Sequence, residues 1–320
     1  MIDDVIQAAD SVLSRINTHP EYSSCAAGRK SQALREEAEK HSLDIEILSE
    51  DRKLSGCRRA YFRSQLDSAY ELLASEGIRQ STVSRLGYLV EPKRNLTGGF
   101  RNESLAFGGF NAPSPGEVPY LVEHLIGFLK SSTLHPIVRA ANAHLELVEI
   151  HPYMDGNGRS ARLLQNFCLQ ERGYPAGVIM VDELEEYRDK IHNALRDRYG
   201  GTSSVYEPSI SEAEFQEFVG QRVLRSVTLL EEELRKRRMY EIELGKVGSC
   251  AVFKNVAQNL RGFGRRPDHG GVSVLINKQK GKRKSGILKV VGDIGREDIE
   301  KMLKRRSDRG EFCYDVRILC

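Results

Sequence analysis

The stretch HPYMDGNGRSAR, His151 to Arg162, gathers an imidazole, a carboxylate, a glycine-framed asparagine and two guanidinium groups into a short length of chain. Gly156, Asn157 and Gly158 form a turn that opens onto a helix. The helix N-terminus carries partial positive charge there, and glycine leaves backbone N–H groups uncovered for an anion. Arg159 and Arg162 are three residues apart, so both fall near one face of the first helical turn and can neutralise several phosphate charges. A triphosphate suits that cradle. Asp155 beside it would repel phosphates unless a cation stood between them, and Mg²⁺ held by one carboxylate plus phosphate oxygens is the usual solution. His151, ending the preceding helix, is then left to take a proton from an incoming hydroxyl. Together these groups describe transfer of a phosphorus-containing group. A histidine near a helix end is by itself usually a packed residue, and paired arginines usually a solvated face; the surrounding motif reverses both readings.

Such groups need helices to hold them. VPYLVEHLIGFLKSS and HPIVRAANAHLELVEI upstream repeat apolar residues at helical spacing, and Ala140, Ala141 and Ala143 permit close packing. GRSARLLQNFCLQERG downstream sets Leu163, Leu164 and Phe167 on one face and stops at Gly173. The motif is therefore a loop between two helices. Ala60 to Gly77 reads as another helix with a glycine stop, and Gly87 to Ser114, with paired glycines around Phe100, Leu105 and Phe107, as a loop and β-hairpin. EEYRDKIHNALRDRY is helical. A long helix is expected from a capping box at Ser211 and Glu214 through LEEELRKRRMYEIEL. Beyond Gly245, VSVLIN and ILKVV read as a hairpin, REDIEKMLKRR as a helix and EFCYDVRIL as a strand. Four regions result: 1–80, helical; 81–205, around the motif; 206–245, the long helix; 246–320, a small basic α+β unit.

A hydrophobic share of 40% over 320 residues suffices for the cores of two or three domains. The net charge of +3 is unevenly spread, since residues 241–320 carry 18 Lys and Arg against 10 Asp and Glu. The six cysteines are scattered without CxxC spacing, which points to neither a zinc cluster nor a disulfide framework. The acidic start MIDDVIQ is unlike a signal peptide, and no apolar run is long enough to span a bilayer. A cytoplasmic protein without membrane contact is expected. The basic turn KQKGKRKSG reads as a solvated hairpin tip, with nucleic acid or an acidic partner as the second reading; the sparse aromatics (Phe253, Phe263, Phe312, Tyr314) do not indicate a base-stacking surface.

HPYMDGNGRSAR resembles the signature of the Fic family, H-x-F-x-[D/E]-G-N-G-R-x-x-R, with Tyr153 where phenylalanine is usual. GGFR and GGF in the hairpin region, AHLELVEI before the histidine, RLL after the second arginine and GYP at 173–175 also look like Fic sequence, so the resemblance covers roughly residues 40–205. It implies a mainly α protein, a Fic-fold helical core with a β-hairpin flap, beside the small α+β unit that it does not explain. It also implies adenylyl transfer from ATP, with Mg²⁺, to a Ser, Thr or Tyr hydroxyl of a protein, itself included. In those terms His151 is the general base, Asp155 holds the metal, and Gly156, Asn157, Gly158, Arg159 and Arg162 bind the triphosphate. The flap would align the target as an added strand. Tyr153 is expected to be a buried anchor whose hydroxyl needs a partner. Kinase relatives such as Doc have lysine at the second glycine of the turn, so Gly158 argues against that reading. Phosphocholine or another nucleotide as the transferred group stays open, as do reversal of the modification and a homo-oligomer.

Many Fic proteins also carry an inhibitory helix, [S/T]-x-x-x-E-[G/N], whose glutamate pairs with the second motif arginine. Ser42 and Glu46 have that spacing, with Ile47 in place of Gly or Asn; Thr228 and Glu232 are the other candidates. The rival from a different class is a non-catalytic regulator whose core senses nucleotide and whose basic C-terminal unit binds nucleic acid or a protein. An intact His151 speaks against it.

Overall fold

The computed structural model describes residues 2–18, 25–49, 56–95, 98–201, 207–235, 238–245, 250–263, 272–278, 286–292, 296–309 and 312–318. They divide into two compact units, Met1–Ser14 with Ser31–Leu229, and Arg15–Lys30 with Leu230–Cys320.

The first unit is helical and is built around α6 (Pro136–Ile150) and α7 (Asn157–Gln170). Ala140, Ala141 and Ala143 are fully buried on α6, and with no bulk beyond Cβ they let α7 pack close. α7 buries almost its whole circumference, including the polar Asn157, Arg159, Ser160, Arg162 and Gln165. A helix buried all round is ordinarily apolar, and polar groups there need partners. On one side Leu66 and Leu73 of α3 (Gly56–Glu76), Leu86 and Val90 of α4 (Gln80–Val90), Tyr153, Leu163 and Phe167 form one cluster. On the other, Ala141 and Leu145 meet Tyr187 of α8 (Leu184–Tyr199) and Phe215 and Phe218 of α9 (Ile210–Arg235), joined by Ile45 of α2 (Cys25–Ser49). α1 (Ile2–Thr18) and α5 (Val118–Ser131) complete the helices that enter this unit. Among the described residues no helix is long and apolar enough to cross a membrane.

Three expectations change here. Gly87, read as the start of a loop, lies inside α4, which continues to Val90. The hairpin shrinks to β1 (Ala106–Phe107) and β2 (Phe110–Asn111), joined by Gly108 and Gly109 at φ +52° and +87°, the two positive φ values that a tight two-residue turn requires. The capping box of α9 lies two residues earlier than read: Ser209 N–H donates to Glu212 Oε2 at 2.9 Å, and Glu212 N–H to Ser209 Oγ at 3.2 Å. Glu214 instead pairs with Lys190.

The second unit corrects the long helix expected across 206–245. α9 ends at Arg235, and Arg238–Gly245 is strand β3. MYEIEL alternates in period two, which puts Tyr240, Ile242 and Leu244 on one fully buried face while Glu243 is exposed. The charged run before it carries helical texture, and the sheet decided the rest. β3, α10 (Cys250–Phe263), β4 (Val272–Lys278), β5 (Gly286–Gly292), α11 (Arg296–Ser307) and β6 (Cys313–Ile318) follow in order, with every neighbouring pair antiparallel in the sheet order β4-β5-β3-β6. Val256, Ala257 and Leu260 of α10 and Ile299 and Leu303 of α11 share one core with the sheet. The hairpin, helix and last strand match expectation; α10 was not anticipated. Residues 279–285, most of KQKGKRKSG, lie outside the described residues.

Candidate functional site

α6 stops at His151, which takes φ +49° and ψ +57° as the helix C-cap, the one non-glycine residue at positive φ among those described. Its backbone N–H donates to Leu147 O at 3.1 Å. Imidazole Nδ1 lies 3.0 Å from Val148 O, so Nδ1 carries the proton and Nε2 keeps a lone pair. Phe107 of the hairpin stacks on the ring at 3.8 Å between centroids and 18° between planes. Burial holds the imidazole down to about 4, with a smaller lowering by the Arg101 charge against raising by the Val148 bond and by Asp155. The His151 imidazole is thus neutral and covered, with one nitrogen left to accept a proton.

The motif loop is braced from inside. Asn157 accepts from Tyr153 N–H at 3.0 Å and donates to Tyr153 O at 2.9 Å. Tyr153 is fully buried, as expected, and its hydroxyl donates to Val83 O at 2.5 Å. Gly87 makes room for the ring: a Cβ there would lie 2.3 Å from Tyr153 Cδ1. Gly156 sits at φ +84°, where a Cβ would come within 3.0 Å of Val90 Cγ1, and its N–H donates to Asp155 Oδ1 at 2.6 Å. A Cβ on Gly158 would meet Arg162 Nη1 at 3.3 Å, so the second glycine lets the arginine lie over the turn.

The arginine pair is buried, Arg159 against acids and Arg162 against Ser42 and Tyr187. Arg159 bonds to Glu91 Oε2 at 3.1 and 3.2 Å and to Val90 O at 3.0 Å, and its Nη2 reaches Asp155 Oδ1 at 3.4 Å and Glu46 Oε1 at 3.5 Å. Arg162 donates to Ser42 Oγ at 2.8 Å, Ser42 O at 3.1 Å and Tyr187 Oη at 3.1 Å, with Glu46 Oε2 at 3.9 Å. Tyr187 Oη in turn meets His144 Nε2, whose other nitrogen meets Gln165. Ser42 and Glu46, more than a hundred residues from Arg162 in sequence, are therefore brought to the motif. Thr228 is not: its hydroxyl donates to Leu224 O of its own helix, and Glu232 is exposed.

Asp155 Oδ2 faces Arg94 at 3.9 Å, and among the described residues no cluster of three or more metal-ligating acids, histidines or cysteines exists. One half-buried carboxylate fits Mg²⁺ only when phosphate oxygens complete its shell, which is how that ion is commonly bound.

Sequence reasoning missed Glu91, Asn95 and Arg101. Asn95 accepts from Met154 N–H at 3.0 Å and donates to Gly87 O and Asp155 O, each at 2.9 Å. Arg101 donates from Nε to His151 O at 2.7 Å, and its remaining nitrogens reach Glu103 O and Pro113 O. The arginine of GGFR was in view as resemblance, with no signal of what it touches. Burial lifts Glu146 to about 7, and Glu149 pairs with Arg198 at 2.9 Å.

A helical unit whose buried central helix opens at a glycine-framed turn beside a covered histidine is the Fic fold. A Fic domain-containing signaling protein from Bacteroides thetaiotaomicron superposes with a TM-score of 0.57 at 21% identity, covering 72% of this chain and 97% of that one. Fic-1 from C. elegans gives 0.55 at 22%, covering 73% and 72%. Residues 77–169 match the Fic/DOC family model. Relatives named protein adenylyltransferase Fic are 31% identical over 205 residues in Drosophila persimilis, 57% of this chain and 40% of that protein, and 33% identical over 170 residues in Drosophila melanogaster, 46% and 35%. The chain spans two fifths or less of the length of these curated relatives.

Proposed function

We propose that this chain is a protein adenylyltransferase that moves AMP from ATP to a Ser, Thr or Tyr hydroxyl of a protein, itself included. The observation that carries the reading is His151, neutral and with Nε2 unprotonated, one loop away from a glycine-framed helix start and two buried arginines. Nε2 takes the hydroxyl proton as the oxygen attacks the α-phosphorus; the bond from that phosphorus to the bridging oxygen breaks, and pyrophosphate leaves. Arg159, Arg162 and the turn at Gly156, Asn157 and Gly158 would hold the phosphates. Asp155 would hold Mg²⁺, which when bound neutralises phosphate charge. The names of the relatives support this activity. Base-labelled ATP with Mg²⁺, the protein alone or with lysate, tests it: labelled protein is expected, and ATP binding without label overturns it. An intact His151 weighs against a pure nucleotide sensor whose C-terminal unit binds nucleic acid or a partner, since a sensor needs no base. A reducing compartment such as the cytoplasm fits the buried, free Cys168.

In this reading the resting protein is restrained, and the support for it is that Ser42 bonds to the Arg162 guanidinium that a γ-phosphate would need, with Glu46 3.9 Å from it. Glu46→Gly is expected to raise the rate of labelling. Ion pairs at 3.5 and 3.9 Å to a partly exposed glutamate are weak. A contribution of about 1 kcal/mol corresponds to a roughly fivefold rise. An unchanged rate removes Glu46 from the switch.

The pH profile carries a separate signature. A base lowered to about 4 is neutral throughout the range above it, and protonation in acid removes it only near that value. Between about pH 5.5 and 7.5 the rate should stay nearly flat, whereas an ordinary histidine near 6.5 would gain about tenfold. A tenfold rise over that range contradicts the dry, covered imidazole.

A further inference from the structure

We propose that Arg101 is a positioning residue that sets the His151 ring and closes the base of the hairpin covering it. The proposal rests on the adenylyl-transfer reading for its effect on rate, and on geometry for the rest.

One guanidinium, 4% exposed, donates to three carbonyls from three places: His151 O at 2.7 Å, Glu103 O at 2.9 Å and Pro113 O at 2.5 Å. Its backbone N–H adds a bond to Pro152 O at 2.9 Å. No carboxylate is among these partners, and burial pulls the guanidinium below its usual value, with Tyr199 opposing. A buried cation solvated by carbonyl dipoles alone costs more than a neutral tie would, so its fork geometry must matter.

What the fork joins explains why. Glu103 and Pro113 bracket the hairpin, whose two-residue strands cannot hold together unaided. Besides the β1–β2 pairing, Ala112 N–H to Leu105 O at 2.9 Å ties its arms. Arg101 clips both arms and fixes them to the carbonyl of His151. That residue's left-handed backbone costs about 1–2 kcal/mol for a side chain with a Cβ, and needs surroundings to hold it. With the backbone fixed, Nδ1–H stays on Val148 O, Nε2 stays free, and Phe107 stays over the ring. A lysine offers one ammonium and cannot serve three carbonyls in the arginine's plane.

The test compares the parent, Arg101→Lys and Phe107→Ala. Three readouts are taken: ¹⁵N shifts of the His151 ring, hydrogen exchange of amides 102–112 against those of α6 and α7, and AMP transfer over a range of ATP. In Arg101→Lys the ring signal is expected to become a mixture of tautomers, and hairpin exchange to rise about tenfold with α6 and α7 unchanged. kcat should fall about 100-fold with KM for ATP within about twofold, as for a misplaced group that does not bind ATP. Phe107→Ala leaves the clip in place, so a single tautomer and slow exchange at the hairpin base are expected.

A single Nδ1–H tautomer with parental hairpin exchange in Arg101→Lys overturns the proposal. So does a mixture of tautomers in Phe107→Ala, which would make stacking the orienting contact; that arm decides the matter should Arg101→Lys fail to fold. If the parent transfers no AMP, the adenylyl-transfer reading falls, while the ring signal and exchange still decide the clip.

Discussion

In His151→Ala, labelling of protein by base-labelled ATP is expected to fall by about 10²–10⁴-fold while ATP binding persists, the range that a positioned general base contributes. The His151 imidazole keeps a free acceptor nitrogen, whereas Asp155 is engaged by Gly156 N–H and Arg159, and Glu91 and Glu46 by the arginines. None of the residues proposed to hold phosphates bonds to the ring, because His151 Nδ1 bonds within its own helix to Val148 O. The backbone is the confounding factor: alanine at φ +49° is strained. His151→Asn, which tolerates the left-handed region better, serves as the control. Both variants should bind ATP like the parent and transfer little. A His151→Ala enzyme within tenfold of the parent would leave the base elsewhere.

Gly87→Ala is expected to destabilise the protein, although alanine in a helix ordinarily gains about 1 kcal/mol over glycine. The added Cβ would stand 2.3, 2.6 and 2.8 Å from three atoms of the Tyr153 ring. That ring cannot yield easily. Its hydroxyl is bonded to Val83 O in the same helix as Gly87, and both its backbone polar groups are held by Asn157. Overpacking of a rigid core costs about 1–3 kcal/mol, and approaches this close belong at the upper end, so after the helix gain a net loss of about 2 kcal/mol should lower the Tm by about 4–8 °C. Because Tyr153 lies in the motif, the displaced ring should also slow AMP transfer. In a Gly87→Ala/Tyr153→Leu pair, coupling of the two sites should return part of the loss, read by thermal melting. A Tm at or above the parent's in Gly87→Ala would mean that the ring does not sit on the glycine.

The helices were legible because amphipathic spacing and glycine stops are local. Ala60 to Gly77, the two helices before the motif and the one after it lie where the pattern puts them. Tyr153 as a buried anchor was legible from the resemblance, in which phenylalanine is usual at that place, and its hydroxyl needed a partner, which Val83 O supplies. MYEIEL was misread because a charged helix runs straight into it, and only pairing with β5 and β6 makes its period-two face worth burying. Ser211 and Glu214 have capping-box spacing, as do Ser209 and Glu212; which pair closes depends on where the helix must start to bury Phe215 and Phe218.

By itself the sequence determined the groups at the site and their order: an imidazole at a helix end, a carboxylate, a glycine-framed turn and two arginines on the next helical turn. These follow from spacing along one short segment, where backbone geometry leaves few alternatives. Only the tertiary structure decided what those groups touch. Glu91, Glu46 and Ser42 reach the arginines from two other helices, and Arg101 reaches His151 across 50 residues of chain. A long-range contact of this kind leaves no local trace, since any exposed-looking acid or arginine could make it until packing buries one against a charge that needs a partner.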